Sequence, residues 1–282
     1  MSSIADSDAV CSKERQLTQH QAVLTLVQQA LGNPQMISFR WLDLACGKGQ
    51  IIIHLDINFT PDHRAKIEYH GYDIQTEYLK LAERTARSFG LKSVKMETGE
   101  LSNFHKIYSK DEKFDLITLT NTVHEIDPKI ISLLLFESLY RLTPNGFLFI
   151  YDMEKLPRQE LGAITWTREE FEEIIKFFLK RVGSSCLPIS SRWQHSSCTG
   201  WNTALYISHL NIHFEEIELD REDILSDTNN AINKIIDRKY ELCKLSLENL
   251  TLYGPEVREE ENEIKAKLYE FWALSRAKGA YE

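Results

Sequence analysis

The sequence has few cysteines and no long apolar run. Its 282 residues include five cysteines, widely spaced and without a Cys-x-x-Cys pair. An odd and scattered set of cysteines argues against a disulfide framework. No segment approaches the roughly 18 consecutive apolar residues that cross a bilayer, and residues 1–15 lack the basic-then-apolar pattern of a signal peptide. We therefore expect a folded, cytoplasmic protein with reduced thiols and no membrane partner.

The sequence also lacks an excess of positive charge. It has 33 Lys and Arg against 42 Asp and Glu, a net charge of -9. Much of the imbalance lies in residues 213–282, which hold 17 acids and 10 bases. Proteins that bind nucleic acid usually carry a clustered basic patch. We therefore do not expect nucleic acid as a partner.

Apolar periodicity and turn residues predict alternating strands and helices. Helical patterns begin at about Lys48, at Asp127–Pro128 and at the capping box Thr167–Glu170. The predicted strands are 39–45, 67–73, 94–98, 114–120 and 147–151, followed by a strand pair near 182–192 and 202–210. Crossovers long enough to hold a helix favour a mostly parallel sheet covered by helices on both faces, with the last pair as an antiparallel edge.

Helical patterns also flank this region. A stripe over 13–31 precedes it, and two stripes, over 232–250 and from 264, follow it and are separated by Gly254–Pro255. The predicted divisions are an N-terminal helical segment (1–37), a main domain (38–212) and an acidic C-terminal helical extension (213–282). The extension either docks on its own domain or forms a surface for a homodimer or a protein partner.

The first strand runs into the turn Asp43-Leu44-Ala45-Cys46-Gly47-Lys48-Gly49. Two glycines let the backbone bend sharply, so that a ligand can lie against the carboxyl end of the strand. A dinucleotide fingerprint would require a third glycine at Ile52, and Asp43 would repel a phosphate. The turn therefore favours a cationic ligand over a pyrophosphate.

This turn, together with Asp73 at the end of the second strand, resembles the first two motifs of the class I S-adenosylmethionine-dependent methyltransferases. The resemblance covers about 39–210. It implies an α/β Rossmann-like sandwich with a mostly parallel seven-stranded sheet, an N-terminal helix that acts as a lid, and S-adenosylmethionine as the cofactor. By resemblance, the cofactor-binding residues are Asp43, Ala45, Cys46, Gly47, Gly49, Asp73, Ile74, Gly99, Glu100, Leu101, Thr120 and Asn121.

The resemblance also suggests individual roles. Asp73 would accept hydrogen bonds from the two ribose hydroxyls. Glu100 would accept from the adenine amino group, with Glu97 as the competing acid. Ile74 and Leu101 would contact the two faces of the adenine. Cys46 is expected to be a small residue that fits the turn, because nothing marks it as a nucleophile.

His124 and Glu125 are the candidate catalytic residues. Methyl transfer is an in-line displacement in which the protein holds the acceptor and, where needed, removes its proton. An imidazole with a pKa near about 6.5 would act as a base towards a hydroxyl or would orient an amine. The alternatives are structural: His124 would cap the following loop, and Glu125 would favour the next helix N-terminus. No metal site is expected, since Cys186, His195 and Cys198 lack a familiar spacing.

The sequence therefore predicts methyl transfer from S-adenosylmethionine to an O or N atom. A small-molecule acceptor is favoured over a protein side chain or tRNA. The segment 120–126 lacks the N/D-P-P-Y/F motif of adenine and glutamine methyltransferases, and there is no Pro-Cys pair for attack on cytosine. A non-catalytic, methyltransferase-like subunit that binds a partner is the alternative. The loop from Trp193 to Trp201 would either wall the acceptor pocket or pack its tryptophans on neighbouring helices.

Overall fold

The protein is built on one seven-stranded sheet. The computed structural model describes residues 18–156, 160–194, 199–212, 214–252 and 258–279. The sheet order is β3-β2-β1-β4-β5-β7-β6. The strands are β1 (Phe39–Leu44), β2 (Ile67–Asp73), β3 (Ser93–Thr98), β4 (Phe114–Thr120), β5 (Leu142–Met153), β6 (Ile189–Gln194) and β7 (Thr199–Tyr206). The predicted Rossmann-like architecture is confirmed.

The first five strands run parallel. Phe39 of β1 lies opposite Ile67 of β2, and Trp41 lies opposite Leu116 of β4. Both faces of β1 are covered, since five of its six residues are buried. This burial agrees with the four apolar residues among the six of the strand. The chain reaches β2 and β3 on one side of β1 and β4 and β5 on the other, so a topological switch point lies between β1 and β4, where ligands bind in folds of this type.

The remaining strands form an edge of the sheet. β6 and β7 are neighbours and are separated along the chain only by residues 195–198, which is too short for a parallel crossover. They therefore run antiparallel, as predicted. Their predicted bounds were wrong, because Gly183 adopts a φ of +78° after the preceding helix and residues 207–210 are helical. β5 is also longer than the predicted 147–151.

The helices are α1 (Thr18–Leu31), α2 (Leu55–Asn58), α3 (Pro61–Arg64), α4 (Thr76–Ser88), α5 (Phe104–Ile107), α6 (Ile131–Tyr140), α7 (Arg168–Arg181), α8 (Ile207–Leu210), α9 (Phe214–Leu219), α10 (Arg221–Leu252) and α11 (Arg258–Ala277). The capping box at Thr167 is confirmed, and Asp127 caps a short 3₁₀ turn before α6. The helix predicted from Lys48 is wrong. Left-handed φ angles at Gly47 and Gly49 keep that segment in a turn, which passes through a 3₁₀ turn at Ile52–His54 into α2.

The described residues fall into two compact units. The first contains residues up to 120, with 136–151 and 204–209. The second contains 121–135, 152–203 and the residues from 210 onwards. The predicted boundaries at residues 37 and 212 stay predictions.

The second unit includes the C-terminal hairpin. α10 packs against both α7 and α11. Nζ of Lys239 lies 2.8 Å from Oε2 of Glu170, and the rings of Tyr240 and Phe271 stack with centroids 5.0 Å apart. The first contact joins the hairpin to α7, and the second joins its two helices, α10 and α11. Within the described ranges, no helix combines the length and the apolar character needed to cross a membrane.

Candidate functional site

The turn after β1 has an unusual backbone. Ala45, Gly47 and Gly49 all have left-handed φ angles, of 55°, 54° and 81°. A Cβ on Gly47 would meet no atom within 4 Å, whereas a Cβ on Gly49 would lie 2.9 Å from the side chain of Ile52. Both glycines are required by φ, and Gly49 is also required by packing. Gly47 leaves open space at the carboxyl end of β1.

Asp73 anchors this turn from the end of β2. Its Oδ2 accepts a 2.8 Å hydrogen bond from the backbone N–H of Gly47, and its Oδ1 accepts one of the same length from Gln75. The side chain is buried, yet each carboxylate oxygen retains acceptor capacity for a second donor. The next residue, Ile74, is 60% exposed, so it presents apolar surface beside Asp73.

Asp43 lies inside the sheet rather than on its surface. Its carboxylate accepts hydrogen bonds from Oη of Tyr69 at 2.8 Å and from Oγ1 of Thr118 at 2.6 Å. Trp41 in turn donates to Thr118 Oγ1 at 2.8 Å. Burial raises the pKa of Asp43 to about 6, against the effect of these hydrogen bonds. Asp43 therefore orders the end of β1 from within, and its contact with the cofactor stays a prediction.

Cys46 is buried in the same turn. Its backbone N–H donates to the carbonyl of Tyr72 at 3.1 Å. Burial raises the pKa of its thiol well above the usual range, and the charges of Asp43 and Asp73 add to this effect. A buried thiol of this kind is unreactive. The structure therefore fits the prediction of a small turn residue.

The loop after β3 is held by Tyr72. The backbone N–H of Gly99 donates to the carbonyl of Asp73 at 3.2 Å, and Oη of Tyr72 donates to the carbonyl of Glu100 at 2.8 Å. A Cβ on Gly99 would collide with this hydroxyl. The Glu100 side chain is exposed, and Leu101 is half-buried. Glu100 therefore has a fixed backbone and a side chain that a ligand can reach.

The segment after β4 begins with a strained residue. Thr120 ends β4, and Asn121 has a left-handed φ of 54°. Within the described part of the chain, the buried Oδ1 of Asn121 has no hydrogen-bond partner. A buried acceptor without a donor costs about 1–3 kcal/mol. A donor from a ligand or from an ordered water would satisfy this atom.

His124 is buried and held by Asp152. Its Nδ1 lies 2.6 Å from Oδ1 of Asp152, and its backbone N–H donates to Oδ2 at 2.7 Å. The His124 carbonyl accepts from the backbone N–H of Ile164 at 2.8 Å. Asp152 lies near the end of β5 and is fully buried. These bonds fix the imidazole ring in one orientation.

The other ring nitrogen of His124 faces two carboxylates. Nε2 lies 3.7 Å from Oε1 of Glu125 and 3.6 Å from Oε2 of Glu160. Burial by itself lowers the pKa of His124, but the charge and hydrogen bond of Asp152 outweigh it and raise the pKa to about 10. The ring would then carry a proton at neutral pH. The role of His124 as a base at that pH stays a prediction, which this environment does not favour.

A cleft of about 350 Å³ lies in the second unit. Its wall includes three acids and two bases, so it offers charged groups of both signs. Its volume lies within the range of small-molecule pockets, about 300–1,000 Å³. The lining residues are Glu125–Lys129, Glu160–Ile164, Ala273, Arg276 and Ala277.

Sequence reasoning missed Asp152, Glu160 and Tyr72. The sequence pattern could have identified Asp152, since it is an acid near the end of a buried strand, the same feature that identified Asp73. Glu160 comes from an irregular segment and had no local signal. Tyr72 appeared to be only an apolar residue of β2, although its hydroxyl holds the next loop.

The tryptophan loop is described only in part. Residues 195–198 lie outside the described ranges, as does the side chain of Trp193. Trp201 is buried, its Nε1 donates to the carbonyl of Trp166 at 2.7 Å, and its ring stacks on Phe171 with centroids 4.6 Å apart. For Trp201 the packing interpretation is therefore confirmed.

Comparison with known proteins identifies a family. The sequence profile described as "Methyltransferase domain" matches residues 38–194, more than half of the chain. No curated protein sequence matches this chain.

Several solved structures are similar to this chain at low sequence identity. Magnesium protoporphyrin IX methyltransferase (ChlM) from Synechocystis PCC 6803 with bound SAM has a TM-score of 0.50 and 13% identity, over 72% of this chain and 91% of that chain. The SAH-bound form of the same enzyme has a TM-score of 0.48 and 14% identity, over 67% and 82%. A putative O-methyltransferase from Nostoc punctiforme PCC 73102 has a TM-score of 0.47 and 17% identity, over 67% and 55%.

Proposed function

The chain belongs to the methyltransferase-domain family, and we propose that it transfers the methyl group of S-adenosylmethionine to an oxygen or nitrogen atom of a small polar molecule. The protein is an enzyme, and S-adenosylmethionine is its cofactor. Bound to the protein, this cofactor supplies an electrophilic methyl group on a sulfonium. The chain's own residues have to bind it and to orient the acceptor.

One observation carries this proposal: the turn at the β1–β4 switch point leaves open space at Gly47 and is tied to Asp73. The three left-handed residues hold the backbone away from the place where a ligand would lie. The buried Asp73 carboxylate already binds two backbone N–H groups and retains lone pairs for a diol. These residues fit a ribose better than a phosphate, because a phosphate would meet a second negative charge.

The loop after β3 supports the predicted position of the adenine. Tyr72 fixes the Glu100 backbone, and the exposed Glu100 carboxylate stays the predicted acceptor for the adenine amino group. Ile74 and Leu101 would supply the apolar contacts to the two faces of the adenine. Thr120 and Asn121 stay predicted cofactor contacts, and the unpartnered Oδ1 of Asn121 supports this role.

The cleft in the second unit supports a small-molecule acceptor. Its volume of about 350 Å³ suits a compact metabolite rather than a macromolecule, and its charged lining suits a polar one. The net charge of -9 also disfavours an RNA acceptor. His124 and Glu125 stay predicted catalytic residues of this step.

Calorimetric titration tests the proposed binding of the cofactor. We expect binding of S-adenosylmethionine and S-adenosylhomocysteine and no binding of NAD. Asp73→Asn should weaken both affinities by roughly ten-fold or more, because charge-assisted hydrogen bonds contribute about 1.5–3 kcal/mol. Asp62→Asn, an exposed acid in the first turn of α3, is the matched control. Unchanged affinity in Asp73→Asn would show that the pocket is assigned to the wrong residues.

Transfer of labelled methyl groups tests the proposal of a small-molecule acceptor. The protein is incubated with methyl-labelled S-adenosylmethionine and a cell extract separated into small-molecule, RNA and protein fractions. We expect label in the small-molecule fraction and less of it with Arg276→Glu, which alters the cleft wall. Lys278→Glu, at the end of α11 and outside the cleft lining, is the control. Label only in RNA or protein would refute the small-molecule acceptor, and no transfer despite cofactor binding would favour the non-catalytic alternative.

A further inference from the structure

Three groups that commonly bind metal ions converge at one edge of the cleft. One ligand atom each from His124, Glu125 and Glu160 lies within 4.8 Å of the other two. Glu125 and Glu160 also line the cleft. We propose that Nε2 of His124 and one carboxylate oxygen each of Glu125 and Glu160 form a binding site for a divalent metal ion.

The spacing of these atoms suits a shared ion better than direct hydrogen bonds. The Nε2–oxygen distances of 3.6 and 3.7 Å exceed the usual hydrogen-bond length of about 2.9 Å. Two ligands placed about 2.1 Å from one ion and separated by these distances subtend an angle of about 120° at the metal. This value is that of a trigonal arrangement and is larger than the tetrahedral angle. The Glu125 and Glu160 side chains are 61% and 39% exposed, so rotation of these side chains would bring both carboxylates to an ion.

The supporting contacts of His124 are those of a metal ligand. A histidine that binds a metal through one nitrogen usually donates its other ring N–H to a carboxylate. Here Nδ1 lies 2.6 Å from Oδ1 of the buried Asp152. Asp152 is itself held by the backbone N–H groups of His124 and Met153, both at 2.7 Å. The ring is therefore fixed with Nε2 directed at Glu125 and Glu160.

The excess of negative charge around His124 supports the binding of a divalent cation. Three carboxylates, from Asp152, Glu125 and Glu160, surround one imidazole. Even with a protonated ring, this cluster would keep two excess negative charges. A divalent ion bound to the neutral imidazole reduces that excess to one. The cluster is more than a group of surface acids, because the His124 side chain is 95% buried and Asp152 orients its ring.

The donor atoms indicate the kind of ion. One imidazole nitrogen and two carboxylate oxygens suit the borderline ion Zn²⁺, and the two carboxylates also suit the harder ion Mn²⁺. Ca²⁺ and Mg²⁺ prefer ligand sets made only of oxygen, and Cu⁺ prefers thiolates. Three protein ligands leave coordination positions for water or for a group bound in the cleft. If the proposed function holds, an ion here would polarise an acceptor hydroxyl in the cleft.

Metal binding is tested without any activity assay. The full-length protein is stripped with a chelator and titrated by calorimetry with ZnCl₂ and MnCl₂, and the visible absorption of added Co²⁺ reports the ligand geometry. We expect one equivalent of Zn²⁺ to bind and Co²⁺ to give the absorption of a low-coordinate N/O site. Glu160→Gln and Glu125→Gln should each weaken binding by at least ten-fold, and Asp152→Asn by roughly 10- to 100-fold.

Asp127→Asn is the matched control. Asp127 lines the same cleft but is outside the ligand set, and asparagine keeps its capping bond to the backbone of Lys129. This variant should bind Zn²⁺ like the wild type. Circular dichroism checks the folding of each variant, and the Glu125 and Glu160 variants test the site where a change at the buried Asp152 unfolds the protein.

Two results would overturn the site: no stoichiometric binding of Zn²⁺ or Mn²⁺, or equal losses in Glu160→Gln and Asp127→Asn. Either result would mean that His124, Glu125 and Glu160 do not bind an ion together. Titration of the stripped protein with S-adenosylmethionine separates this failure from failure of the proposed function. Cofactor binding without metal binding refutes only the metal site, and metal binding without cofactor binding refutes only the cofactor pocket.

Discussion

Replacing Asp43 by asparagine should make the stability of the protein depend less on pH. Asp43 is buried beneath the turn that follows β1, and its carboxylate accepts hydrogen bonds from Tyr69 and Thr118. Burial raises its pKa from 3.8 to about 6. The folded protein therefore binds this proton more tightly than the unfolded chain does. The resulting stabilisation is complete below pH 3.8 and is lost as the pH rises through about 6.

The size of the effect follows from the two pKa values. Each pKa unit corresponds to about 1.4 kcal/mol, so the rise from 3.8 to about 6 corresponds to about 3 kcal/mol over the full range. Between pH 5 and pH 8, the part that is lost is about 1–2 kcal/mol. Asparagine has no charge to desolvate. Its altered hydrogen bonds to Tyr69 and Thr118 change the free energy of unfolding by the same amount at both pH values.

Urea unfolding at pH 5 and pH 8 and constant ionic strength measures this effect. The free energy of unfolding of Asp43→Asn, relative to the wild type, should increase by about 1–2 kcal/mol from pH 5 to pH 8. Other titrating groups cancel in the difference, and Asp62→Asn shows the effect of removing one surface charge. A difference that stays constant, or that decreases with pH, would refute burial as the dominant influence on Asp43.

Two further predictions concern the turn after β1 and the loop after β3. Gly49→Ala should lower the free energy of unfolding by about 2–4 kcal/mol, since it combines an unfavourable φ with a Cβ 2.9 Å from Ile52. Gly90→Ala, where φ is +69° and the Cβ would meet nothing within 4 Å, should lower the free energy of unfolding by only about 1 kcal/mol. A larger decrease in this variant would contradict the steric explanation. Tyr72→Phe should lower stability by about 1 kcal/mol and weaken S-adenosylmethionine binding several-fold, because Glu100 loses its hydrogen bond. Unchanged calorimetric affinity would show that this bond does not position the loop.

Local features of the chain were predicted well. The bounds of β2 and β4, the capping box at Thr167 and the cap at Asp127 all follow from residues close together in the sequence. The helix expected from Lys48 was wrong because the periodicity of the apolar residues there does not reveal the left-handed turn. The lengths of β5 to β7 were also misjudged, since pairing with neighbouring strands rather than local pattern sets where a strand ends.

The sequence by itself determined the fold class and the position of the glycine turn after β1. Glycine spacing and the acid at the end of β2 are local signals, and parallel strands bring their carboxyl ends to one edge of the sheet. Only the tertiary structure showed that Asp43 is buried and that Asp152 holds His124 from 28 residues away. It also brought Glu160 beside the same ring. Burial raises the pKa of Asp43, and the distant Asp152 raises that of His124; neither effect is encoded in the residues next to these groups along the chain.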